Sequence, residues 1–126
     1  MKIKTIGITI ISLLSLFSCI SLFSHKKEED NLMYWKLDVF GCKGYRNKEH
    51  AYYIRDSLDL RNTNKRFVIN KIGTPDLIKT NNNEIILKYY FDSKCNNGVL
   101  IDSIDYCWVE IQLISNRVKS TTILCY

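Results

Sequence analysis

Cysteine, histidine and closely spaced carboxylates are the residues of this chain whose types could do chemistry. The five cysteines are Cys19, Cys42, Cys95, Cys107 and Cys125. No two of them stand in a C-x-x-C spacing, so neither a zinc ribbon nor a thioredoxin-type redox pair is suggested. In an exported chain, four of the five make two structural disulfides and the odd thiol needs an explanation. A catalytic thiol is the lesser reading. The two histidines are His25, in a charged run, and His50, where an exposed helix position is a plainer reading than a general base. Asp102 and Asp105 lie close together at a loop-to-strand junction, where acids serve turns and solubility. A glycine-rich phosphate loop, a nucleophile elbow and a metal-ligand cluster are all missing from the sequence. The residues therefore point away from an enzyme and imply no cofactor or metal.

The odd thiol finds its explanation at the N-terminus. Lys2 and Lys4 precede an apolar run from Ile6 to Phe17, interrupted only by Gly7, Thr9, Ser12 and Ser15. The run closes on Leu16-Phe17-Ser18-Cys19. A basic start, an apolar stretch and a small residue at the cut form an export signal. Cysteine directly after the cut resembles a bacterial lipoprotein signal, in which Cys19 carries diacylglycerol and becomes the new N-terminus. Phe17 is bulkier than usual at its position. Two other readings stand beside it: a secretory signal cut nearby, for instance after Ser21, and an uncleaved anchor. Ile6 to Phe23 is 18 residues, the lower edge of a bilayer span, and its Ser and Thr content makes the anchor the weakest of the three.

These boundaries predict residues 1–18 as signal, 19–33 as a lipid-anchored charged tether (His25 to Asn31 is its charged run) and 34–126 as one folded domain. The whole chain carries 18 basic and 13 acidic residues, net +5. Loss of Lys2 and Lys4 leaves 16 basic against 13 acidic, net +3, with the charges mixed along the sequence. With no basic run in such an exported chain, nucleic acid is not an expected partner.

Elements must then position whatever the domain uses. Tyr34-Trp35 to Gly41-Cys42 opens the fold, with Trp35, Leu37, Val39 and Phe40 as candidate core. Asn47 is placed to cap a helix running to about Leu60, with Glu49 in its first turn and Ala51, Ile54 and Leu58 as the apolar stripe. Asn64 caps a second, shorter helix with Phe67, Val68, Ile69 and Ile72, which Gly73 stops and Pro75 prevents from resuming. Thr80 to Asn83 reads as a turn, Glu84 to Phe91 as a strand and Ser93 to Gly98 as a loop. Ile104 to Leu113 alternates, with Cys107, Val109, Ile111 and Leu113 on one face and Trp108, Glu110 and Gln112 on the other. A turn at Ser115-Asn116 leads to a last strand, Val118 to Tyr126. The class predicted is α+β, two short helices packed on one face of a three-stranded antiparallel sheet.

A turn centred on Asn116 would set Cys107 opposite Cys125, close enough for a bridge; a one-residue shift would pair Cys107 with Leu124 and remove it. The favoured connectivity is Cys107–Cys125 with Cys42–Cys95. Its main rival is Cys42–Cys125 with Cys95–Cys107. Asp38 and Arg46 flank Gly41-Cys42 and are placed to pair, pinning the chain's entry into the first helix. Tyr106 and Trp108 stand on the strand face away from Val109. They are either exposed anchors for a protein partner or buried under the Tyr34-Trp35 segment.

The run Ile72-Gly73-Thr74-Pro75 after a capped helix, Tyr89-Tyr90 in the first strand, and a strand ending at Leu113, a turn at Ser115-Asn116 and Val118 resemble the small BamE-type (SmpA/OmlA-like) outer-membrane lipoproteins. An Asp38-x-x-Gly41-Cys42-x-x-x-Arg46 opening, the Gly-x-Pro stop at Gly73 and Pro75, and later cysteines are also similar to uncharacterised Bacteroidetes lipoproteins. The resemblance covers roughly Trp35 to Tyr126. It implies a BamE/BLIP-like domain held by its lipid in the cell envelope, at the outer membrane facing the periplasm. A non-catalytic, protein-binding role in outer-membrane assembly or integrity goes with it. The cysteine set departs from the BamE-type pattern. The alternatives are a secreted inhibitor or binding protein for another enzyme and, below it, a thiol-active enzyme.

Overall fold

The computed structural model describes residues 32–101 and 106–126. The signal, Cys19, His25, Asp102 and Asp105 lie outside the described residues. A compact unit spans Leu32–Tyr126. It opens with helix α1, helical across residues 32–37, and a 3-10 turn at Val39–Gly41. Helices α2 (Lys48–Asp56) and α3 (Lys65–Ile72) follow. The strands are β1 (Leu77–Asn81), β2 (Glu84–Phe91), β3 (Cys95–Asn96), β4 (Val99–Leu100), β5 (Cys107–Ile114) and β6 (Arg117–Cys125). The antiparallel main sheet runs β1-β2-β5-β6, and β3-β4 is a separate hairpin. The expectation of two helices and three strands is corrected to three helices and four strands plus a hairpin; the α+β class with helices against the sheet stands.

Local chemistry accounts for the helix ends. The Asn47 side chain accepts from the His50 N–H at 3.0 Å and Asn64 from the Phe67 N–H at 2.9 Å, satisfying first-turn donors. Gly73, at φ +93°, stops α3 with its N–H on the Ile69 carbonyl at 2.8 Å. The first of these helices ends at Asp56 rather than Leu60. Leu60 is buried in the core, and Asn62 and Thr63 bond to the main chain of Val118, so the chain must leave the helix to reach them.

The core lies on one side of the sheet. Leu87, Tyr89 and Phe91 of β2 and Val109, Ile111 and Leu113 of β5 share it with Trp35, Ala51, Ile54, Val68 and Ile72 from the helices. Strand alternation supplies one set and helical spacing the other. Leu32 belongs to this core, so the fold begins within the span read as tether. Leu37 and Val39 are exposed rather than core. β1 went unread because its residues are all exposed, leaving no burial-driven alternation at a sheet edge. The turn expected at Thr80 to Asn83 narrows to Asn82 and Asn83, since Thr80 and Asn81 pair with Ile85 and Glu84 as the end of β1.

The β5–β6 register shows how the second bridge becomes possible. Ser115 and Asn116 both take positive φ, 50° and 57°, so the turn is a two-residue link of the kind that matches strand twist. It pairs Ile114 with Arg117 and Leu113 with Val118. Continued unchanged, that register would set Cys107 against Leu124. An irregularity between Gln112 and Leu113 instead pairs Gln112 with Ser120. Lys119 is the extra residue, a bulge that moves the register by one. Cys107 then faces Cys125.

Candidate functional site

The residues that gather around the chain's entry make a pin. Asp38 is buried, and its two carboxylate oxygens accept the Lys43 N–H at 2.8 Å and the Arg46 N–H at 2.9 Å. Arg46, 1% exposed, meets Asp38 through its main-chain N–H and not through its guanidinium. Its guanidinium donates to Asp76 Oδ2 at 2.5 Å and to the Trp35 carbonyl at 2.9 Å. Asp76 also accepts from the main-chain N–H of Phe40 and of Tyr90, at 2.9 and 2.8 Å. One aspartate thus folds the entry loop upon itself, and the other fastens it directly to β2 while holding the arginine. The rings of Trp35 and Tyr89 lie 5.3 and 5.8 Å from the guanidinium carbon. Gly41 closes the contact: a Cβ there would sit 2.8 Å from Phe91 Cα.

Burial drives the Tyr89 phenol well above its ordinary value; Arg46 opposes that shift and Asp76 adds to it. Its hydroxyl donates to the Gly73 carbonyl at 3.0 Å, joining the helix stop to the sheet. Asp38, Arg46 and Asp76 spend their polar groups on main chain and on each other, while the buried Trp35 indole N–H has no partner among the described residues. Such an arrangement positions the chain.

The four domain cysteines are closed in two bridges, Cys42–Cys95 and Cys107–Cys125. The first ties the entry loop to the β3-β4 hairpin. The second ties β5 to β6. His50 offers Nδ1 to the Tyr45 carbonyl at 3.0 Å and meets the Trp35 ring edge-on. Among the described residues, no group of three or more His, Cys, Asp and Glu could hold a metal ion.

The open face of the sheet carries the aromatic residues. Trp108 is 4% exposed, which corrects its reading as an exposed anchor. The Tyr34-Trp35 segment does not cover it either, since Trp35 is in the core on the opposite side. Instead Tyr126 stacks on Trp108 at 5.5 Å, and Tyr90 and Tyr106 meet it at 6.2 and 5.7 Å. Lys88 Nζ lies 4.3 Å from its centroid, while its indole N–H donates to Glu110 at 3.1 Å. The outermost surface of this cluster belongs to Tyr126, 80% exposed, and to Leu124 beside it. Beyond them a polar row continues, Glu84 and Ser120 each bonding Gln112.

Sequence reasoning missed Asp76, Tyr89 and the covering role of Tyr126. Only Asp76 left a trace: an acid between the Gly-x-Pro stop and a strand, where it caps no helix. Compared with protein-family models, curated proteins and solved structures, the chain matches none of them.

Proposed function

We propose that this protein is a non-catalytic cell-envelope lipoprotein, anchored through Cys19 and binding another envelope protein through its sheet. The observation that carries the reading is the closure of all four domain cysteines in two bridges, which leaves Cys19 as the one odd thiol, directly behind an export signal. Disulfides of this kind support an extracytoplasmic setting. Helices on one face of an antiparallel sheet, with an aromatic and polar face left open, agree with the BamE-type resemblance and with an outer-membrane assembly role. A buried Asp38–Arg46–Asp76 cluster spent on holding main chain favours a binding module over an enzyme.

The test is the intact mass of the protein purified from host membranes, with and without reduction. Diacylglycerol on Cys19 and a gain of four hydrogens on reduction are expected. An unlipidated chain would replace this reading with the secreted binder. Thiols alkylated without reduction would return the redox enzyme.

A further inference from the structure

The main sheet ends on β6, and the bonding pattern shows which of its main-chain groups face outward. The Tyr126 N–H donates to the Tyr106 carbonyl at 3.0 Å, so these two form a hydrogen-bonded pair. Cys107 and Cys125 are 4.1 Å apart at Cα, the close spacing of a non-hydrogen-bonded pair. Counting by twos, Cys125, Ile123 and Thr121 turn their N–H and C=O away from β5. Val118 does so beyond the bulge, but it is already closed: it donates to the Thr63 carbonyl at 2.9 Å and accepts from the Asn62 N–H at 3.1 Å. Among the described residues, no strand lies along Thr121, Ile123 and Cys125.

The same contacts gather charge. Residues 60–75 hold Arg61, Lys65, Arg66 and Lys71 without an acid, and residues 111–126 hold Arg117 and Lys119 without one. The Val118 bonds stitch the two segments together. So do Lys65 N–H to Asn116 Oδ1 at 3.2 Å and Arg117 to the Asn62 carbonyl at 3.1 Å. A groove of about 500 Å³ lies between residues 55–61 and the start of the open edge, with Arg61 on one wall and Lys119 on the other. Of its two acids, Asp56 is taken by Arg55, which leaves Asp59 against Arg61 and Lys119.

We propose that this edge receives an extended, acidic segment of a partner protein as an added strand, its main chain on Thr121 to Cys125 and its carboxylates against Arg61 and Lys119. The proposal rests on the partner-binding reading above and names the surface and the partner's chemistry. Strand addition draws affinity from the main chain and specificity from the side chains along it. A second copy of β6 does not fit, because it would bring Arg117 and Lys119 against like charges. A phosphate-bearing surface would satisfy the cations but leave the strand edge unmatched.

The experiment uses the full chain in neutral detergent and a dye-labelled decapeptide of alternating valine and glutamate, followed by fluorescence anisotropy. The expected result is salt-sensitive binding that a valine–lysine decapeptide does not show. R61E combined with K119E should weaken it at least tenfold, and T121P, which removes one outward N–H, should weaken it comparably. Independently of any variant, saturating peptide should slow amide exchange at Thr121, Ile123 and Cys125. Absence of binding would overturn the proposal, as would binding that T121P leaves unchanged without new amide protection. Full competition by inorganic polyphosphate, again without amide protection, would make the patch a general anion surface and overturn it too. In-cell cross-linking separates this from the parent reading: an envelope partner still captured by T121P would leave that reading standing while the edge fails. No partner with either protein would remove both.

Discussion

At the scale of single residues, the pin and the aromatic stack make opposite demands on mutation. Arg46 and Asp76 are a buried pair whose remaining valences are filled by backbone. Removing one partner leaves the other charge buried and uncompensated, which costs about 3–5 kcal/mol. Arg46→Ala is therefore expected to lower the urea midpoint severely, and an unchanged midpoint would deny the pin. On the open face, Trp108→Ala should destabilise by about 3–5 kcal/mol, as for other buried aromatics. Tyr126→Ala, at an exposed position, should leave the midpoint nearly unchanged while weakening partner capture by cross-linking. Tyr89 supplies a pH signature. Its phenol ionises near 10 in the unfolded chain but is held protonated in the fold, so the unfolded state sheds its proton first as pH rises. Stability should accordingly decline above about pH 10, and Tyr89→Phe should remove that part of the decline in denaturant titrations.

At the scale of elements, the β5–β6 hairpin depends on one inserted residue. Its two-residue turn alone would seat Cys107 against Leu124, and Lys119 corrects this by one position. Deleting Lys119 removes the extra residue and lets Gln112–Ser120 follow directly on Leu113–Val118, so Cys107 should still meet Cys125 and both bridges should form. No alkylatable domain thiol in the unreduced deletion variant is the expected readout; two would show that Lys119 is not the inserted residue. The α2 boundary follows similar logic. Sequence periodicity runs on to Leu60, but the demand of Val118 for main-chain partners ends the helix early.

At the scale of the whole molecule, the two bridges divide the work of closure. They span sequence separations of 53 and 18 residues. Restriction of the unfolded chain makes them worth about 4 and about 3 kcal/mol in the chain-entropy model. For a modest core this is a large share of typical net stability. Full reduction should therefore lower the thermal midpoint well beyond the effect of Cys107→Ser with Cys125→Ser alone. Equal midpoints would mean that Cys42–Cys95 contributes nothing.

The residues settled by themselves whatever rests on local physics. Asn47 and Asn64 announced helix starts because a short side-chain acceptor can reach the N–H three residues on. Gly73 and Pro75 announced a stop because few other residues tolerate those conformations. Alternation from Cys107 to Leu113 fixed a strand and its faces, and Asn116 marked its turn. That turn left Cys107 opposite either Cys125 or Leu124, and the bulge at Lys119 chose the bridge. What the sequence could not hold were relations between distant segments: Asp76 rather than Asp38 for the Arg46 guanidinium, Tyr126 over Trp108, and Arg61 across a groove from Lys119. β1 belongs with these, since an edge strand exposed throughout carries no period. Each depends on which segments the sheet brings side by side, and such contacts leave no spacing in the chain for a local reading to find.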